Sequence, residues 1–226
     1  MTSAWLMADG SPIDGWSRLP DVKREDLGDE GIRGGRFGKL DRAAKLLALG
    51  ARRALAGTLV DPATTGLVLA TLTGSLAADE AFDATRARTE GASPLLFPAT
   101  LPTAPAAELS LRYGLEGPVL SVRSSVKAAF AVARLLVLSG QAERVLACGL
   151  EVAAVGASRF LGVEGPFREG VSVFLVDRAV ATRFAVPLLS ALETPRGALL
   201  ANEPAAALAA MLEGSAGTFD GPPERG

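Results

Sequence analysis

The sequence predicts an α/β domain with a mainly parallel sheet. Short apolar, partly β-branched runs alternate with segments of helical period. The clearest run, "TGLVLATLTG" (65–74), is apolar throughout, as expected of a strand buried on both faces. With 49% apolar residues in 226, burying a sizeable core poses no difficulty.

The elements follow in order. Ser3 to Ala8 reads as a first strand. Asp9 to Gly38 is polar and glycine-rich and reads as a surface excursion. "LDRAAKLLALGARRAL" (40–55) is a helix capped by Asp41, with Leu40, Ala43, Ala44, Leu47 and Ala51 on one face. The run 65–74 is the next strand and Ser75 to Arg88 a helix. Four prolines make 91–105 an irregular crossover, and Ala106 to Tyr113 is a helix stopped by Gly114. Strand Val119 to Val122, helix Ser125 to Ser139 and strands 144–152 and 170–178 follow. A further strand over 185–194 and a helix over Ala205 to Leu212 complete the pattern. The helix 125–139 is apolar nearly all round and should be buried on more than one side. No repeat or linker divides the chain. We therefore expect one domain over 1–226, with an N-terminal excursion over 1–36 and a flexible tail over 213–226.

Composition excludes several functions. A net charge of −2 gives no global attraction to nucleic acid or anionic membrane. No apolar run reaches the roughly 18 residues of a bilayer span, so no membrane insertion is expected. The first ten residues lack a secretion signal, and a single cysteine, Cys148, makes no internal disulfide; both fit the cytoplasm. There is no histidine, which removes Ser-His-Asp and Cys-His catalysis and nearly every zinc arrangement. Neither a metal site nor a cofactor is expected.

The remaining chemical candidates have plain structural readings. "GIRGGRFGKLD" (31–41) is not a phosphate loop, because Leu40 follows Gly38-Lys39 and position 33 is Arg. Cys148 lies mid-strand and reads as core packing. Glu151, Glu164 and Glu169 lie near strand ends, where charges are usually solvated, and no spacing pairs them. Ser124 and Lys127 match S-x-x-K, a serine and a lysine one helical turn apart. The companion S-D-N and K-T-G motifs are absent, so Ser124 or Ser125 reads as the cap of a helix whose buried face carries Val126, Phe130, Ala133 and Val137.

The order of segments resembles the β-ketoacyl synthases. "FGKLDRAAKLLALGARRAL" is similar to their first helix, and "TGLVLATLTGSLAADEAF" to their glycine-flanked strand and following helix. "FPATLPTAPAAELSLRYGLEGPVLSV" (97–122) resembles F-x-P-x-T-x-x-N-x-x-A-x-x-L-x-x-x-x-G-L-x-G-P, with one residue of altered spacing and Thr103 for the usual Asn. "LSGQAERVLACGLEV" is similar to A-D-x-x-L-A-G-G-x-E, and "REGVSVFLVDR" to G-E-G-A-x-x-L-V-L-E.

The resemblance implies the N-terminal half of a thiolase-like fold, a mainly parallel five-stranded sheet with helices on both faces. It puts the nucleophilic cysteine eight residues after Pro118, where this chain has Val126, so no catalytic residue is expected. The family's C-terminal histidines, or histidine and asparagine, have no counterpart here. It further implies a chain-length-factor-like subunit that pairs with an active β-ketoacyl synthase in fatty acid or polyketide-type synthesis. Short versions stand beside aryl polyene-type synthases. Acyl carrier protein is a second expected partner. Phe97, Leu101, Pro105, Leu109, Val126 and Phe130 are the candidates for tunnel wall and interface. A mean hydropathy of +0.29 fits an obligate subunit, and a sheet with one face uncovered would supply its partner surface. Two alternatives stand beside this reading: an acyl hydrolase or transferase using Ser124 and Lys127, and a homodimeric scaffold with no acyl role.

Overall fold

The computed structural model describes residues 3–7, 16–17, 19–28, 36–89, 91, 93–94, 96–161 and 167–184. In chain order the elements are β1 (Ser3–Met7), β2 (Trp16–Ser17), α1 (Arg42–Ala54), β3 (Thr65–Ala70), α2 (Leu76–Thr89), α3 (Ala104–Tyr113), β4 (Val119–Val122), α4 (Val126–Leu138), β5 (Arg144–Glu151), α5 (Ala157–Leu161), β6 (Phe167–Arg168), β7 (Gly170–Val176) and α6 (Arg178–Arg183). The strand and helix expected over 185–194 and 205–212 lie outside the described residues.

Five strands form one sheet in the order β1-β7-β5-β3-β4, and β2 and β6 form a small parallel pair. β3 runs parallel to both β4 and β5. β7 is antiparallel to β5 and to β1. Four strands therefore point the same way and only β7 is reversed. The sheet is mainly parallel, as expected, with one inverted strand that its apolar sequence does not announce.

Helices cover both faces. On one face α1 and α3 pack over Leu67, Leu69, Leu146, Cys148, Val171 and Val173; on the other, α4 and α6 pack over Val68, Ala70, Val145, Ala147 and Phe174. Helices on both faces are as expected, so the sheet does not supply a partner surface through an uncovered face. α1 starts where Asp41 accepts a hydrogen bond from the Ala44 N–H at 2.8 Å. Its buried face lies so close to the sheet that a Cβ on Gly50 would sit 3.0 Å from Val171 Cγ2.

The block "GLEGP" has a physical explanation. Gly114 ends α3 in the left-handed region at φ 66°. Leu115 then turns into the core. A Cβ on Gly117 would lie 2.6 Å from Thr65 O, so only glycine lets this backbone reach β3. Pro118 O next accepts from the Leu67 N–H at 2.8 Å, and β4 is under way.

The described part of the N-terminal excursion is not a loose surface loop. Val22 and Leu27 are buried in the α1/α3 core. Three guanidiniums hold the backbone: Arg42 donates to Leu19 O, Arg52 to Glu25 O and Asp26 O, and Arg112 to Leu27 O. Two apolar side chains among many charges were too sparse a pattern to reveal this.

Candidate functional site

The strand-to-helix turn after β4 carries Ser124, Ser125, Val126 and Lys127. Ser125 occupies the N-cap position of α4 with extended backbone, yet its side chain makes no capping hydrogen bond. At Ser125 the expected serine cap is thus a matter of position only. Ser124 is buried, whereas Lys127 is exposed. Val126 is fully enclosed, in one cluster with Val68, Ala70, Ala129 and Phe130. Arg123 spreads over the Phe160 ring at 4.6 Å and ties the turn to α5. At the point where the helix N-terminus would favour a thiolate, the chain presents two methyl groups.

The six tunnel and interface candidates fall in separate places. Phe97 opens the 3-10 helix Phe97–Thr100 and Leu101 follows it; they are 57% and 50% exposed. Pro105 is buried at the start of α3 and lines a cleft. Leu109 belongs to the α1/α3 core. Val126 and Phe130 lie across the sheet from it, with Phe130 edge-on to Phe174 at 6.5 Å. The fold does not gather the six into one wall within this chain.

Glu151 and Glu169 differ from their reading as solvated charges: they are 1% and 0% exposed. Glu151, at the end of β5, accepts from the Leu72 N–H at 2.5 Å, the Thr73 N–H at 3.1 Å and the Thr73 hydroxyl at 2.5 Å. Burial dominates those bonds and pushes its carboxyl up to about 7. Glu169 pairs with Arg42 at 2.5 Å and accepts from the Leu19 and Ala153 N–H groups. The hydrogen bond to Glu169 is the main reason the Arg42 guanidinium is held more firmly protonated than usual. Both glutamates stand inside the family-like stretches quoted above, which was the available signal for them. Glu164 lies outside the described residues.

Cys148 is buried among apolar side chains, and burial raises its thiol far above the range in which a thiolate forms. It is core, as expected. Among the described residues, no cluster of acidic or sulfur side chains could hold a metal, and no helix is long and apolar enough to cross a membrane.

The alternation of strands and helices, the close-packed glycines before β4 and the strand-to-helix turn define a thiolase-like α/β unit. The family model for β-ketoacyl synthase, N-terminal domain, matches residues 18–161, and the chain belongs to the β-ketoacyl synthase family. No curated protein matches the sequence. Among solved structures, the ishigamide ketosynthase/chain length factor is similar at 19% identity and TM-score 0.58, over 79% of this chain and 63% of that one. A type II polyketide synthase (PKS) structure, the acyl-carrier protein in complex with its ketosynthase bound to the hexaketide (AntDE:AntF), is similar at 18% identity and TM-score 0.61, over 80% and 63%. A ketosynthase from module 6 of the bacillaene synthase of Bacillus subtilis 168 shares 15% identity at TM-score 0.50, over 72% and 31%. The chain thus spans 63% of the length of the first two, and these likenesses establish the fold.

Proposed function

We propose that this chain is a non-catalytic ketosynthase-like subunit of the chain-length-factor kind. It pairs with an active β-ketoacyl synthase and shapes that enzyme's acyl passage in fatty acid or polyketide-type synthesis. Decarboxylative condensation needs a thiolate and donors that stabilise an enolate. Val126 occupies the family's nucleophile position and supplies neither, while Cys148 is sealed in the core. The alternative Ser124–Lys127 chemistry is disfavoured because one side chain is buried and the other exposed.

The observation that carries the pairing is an edge of the sheet that no other strand covers among the described residues. β4 is a terminal strand, and Val119 and Leu120 on it are 38% and 41% exposed. Leu111 on α3 and Leu135 on α4, helices on opposite faces of the sheet, are exposed as well. An apolar edge strand left bare invites aggregation, so proteins keep one chiefly where a partner covers it. A carrier protein would then deliver acyl groups to the pair, and the active subunit would react with them.

The test is co-purification of a tagged chain with a co-expressed ketosynthase from the same gene neighbourhood. Leu120→Asp should weaken the complex at least about thirtyfold, the scale of losing an interface hot spot, and leave this chain's own unfolding transition unchanged. A chain that stays monomeric beside the ketosynthase would remove the proposal. Self-association through the same edge would favour the homodimeric scaffold.

A further inference from the structure

α2 is an odd helix for its place in the fold. A helix on an α/β domain normally buries one face. None of the side chains described along α2 is buried, and among the described elements only the 3-10 helix Phe97–Thr100 packs against it extensively. A few contacts hold it. Leu76 and Ala77 rest on Ala153, Ala154 and Ala157, and Phe82 meets Phe97 at 6.2 Å. Glu80 accepts from the Val155 and Gly156 N–H groups at 2.9 and 2.6 Å. The loop leading into α2 is held by Glu151, which takes the N–H groups of Leu72 and Thr73 and the Thr73 hydroxyl. Within that loop the Gly74 N–H donates to the Thr71 hydroxyl at 2.9 Å, and Gly74 itself is left-handed at φ 61°.

We infer that loop 71–75 and α2 form a hinged flap latched by Glu151, and that the flap opens when Glu151 loses its proton. The latch is a buried carboxyl whose bonded partners are all neutral. The charged groups on the elements around it are engaged elsewhere. Glu169, just before β7, is paired with Arg42 of α1, and Asp41 caps α1. On α2, Asp79 accepts from Ser75 and Glu80 holds the turn at 155–156. An ionised Glu151 under a closed flap therefore has hydrogen bonds but no facing cation, and a buried charge in that position is strongly unfavourable. The strand that carries it cannot move to reach water, because β5 is hydrogen-bonded to β3 on one side and β7 on the other. The loop and α2 yield instead, since α2 has no buried face to extract. Gly74 supplies the pivot, because glycine crosses between left-handed and extended backbone without a Cβ clash. Burial shifts the carboxyl's titration up to about 7, which puts the change in the neutral range. The device does not depend on the pairing proposed above.

The experiment is amide hydrogen exchange of the full chain at pH 6 and pH 8, with each rate divided by its intrinsic value at that pH. With the closed carboxyl titrating near 7 and the open one near the ordinary 4.5, opening should be about tenfold more populated at pH 8. Protection of the amides from 72 to 88 should fall by that factor. Their exchange should also be unchanged by low urea, because a flap exposes little surface, whereas exchange in β5 should rise with urea. Glu151→Gln should abolish the pH response. In the unaltered chain the Glu151 carboxyl carbon resonance should titrate over the same range in which protection is lost, so the test survives a variant that fails to fold. Equal protection at the two pH values, the same pH response in Glu151→Gln, or exchange over 72–88 that rises with urea as steeply as that of β5 would overturn the assignment. Failure here would leave the subunit pairing intact, since that is read by co-purification.

Discussion

Arg42→Ala is expected to destabilise the chain by about 3–5 kcal/mol, the scale of breaking a buried ion pair. Glu169 is fully buried, and Arg42 is the cation that faces it. The guanidinium also donates to Leu19 O and to Asp21, so it joins the segment before α1 to the start of β7. Removing it strands a carboxylate that keeps the Leu19 and Ala153 N–H groups but loses the facing positive charge. Two observations separate this from ordinary loss of packing. Glu169→Gln alone should cost less than Arg42→Ala, because it strands no anion. Adding Glu169→Gln to Arg42→Ala should recover part of the loss, since the stranded charge is then gone. Chemical denaturation of the four proteins measures all of this. A double variant less stable than Arg42→Ala would show that the pair is not the source of the stabilisation.

The second large effect is a fall in stability with rising pH that traces to Glu151. Its folded carboxyl titrates near 7 against an ordinary 4.5, because burial outweighs the bonds from Thr73 and Leu72. The groups bonded to it, including the Thr71 hydroxyl, are all neutral. Between those two values the folded chain holds a proton that the unfolded chain releases. The stabilisation is therefore complete below about pH 4.5 and is lost as pH rises through 7. Its ceiling is about 3 kcal/mol, from the separation of the two values. Glu151→Gln keeps the shape and an acceptor for the loop but cannot ionise. Urea unfolding at pH 5 and pH 8 should show the parent losing up to about 3 kcal/mol more than this variant. Equal losses would mean that Glu151 is neutral, or ionised, across the whole range. Glu151→Ala should cost several kcal/mol at either pH, because it leaves three buried donors without an acceptor.

Some of this fold could be read directly from local pattern. The 3.6-residue period of 40–55 became α1, and the apolar run at 65–74 became β3 followed by the Glu151-held loop. β4 matches its expected span of 119–122. What escaped was everything set by distant partners. Glu151 finds its donors 78 and 79 positions away, and Glu169 finds Arg42 at 127 and Leu19 at 150. A lone glutamate at a strand end looks the same in sequence whether water or a guanidinium meets it. The direction of β7 was hidden for a similar reason, since a strand buried on both faces has the same composition either way round. For the turn, the resemblance located Val126, and the structure added that it is sealed, that Ser125 caps by position alone, and that Lys127 is exposed. The candidates Phe97, Leu101, Pro105 and Leu109 share one short stretch of sequence, but a 3-10 turn leading into a helix sends them to surface, cleft and core.

The central claim is that this chain pairs with a ketosynthase and does no acyl chemistry of its own. Intact-mass spectrometry of the co-purified pair, after incubation with acyl-loaded carrier protein, tests it most directly. The account predicts an acyl adduct on the ketosynthase subunit and an unchanged mass for this chain. An acyl adduct on this chain, lost in Ser124→Ala or Ser125→Ala, would contradict it.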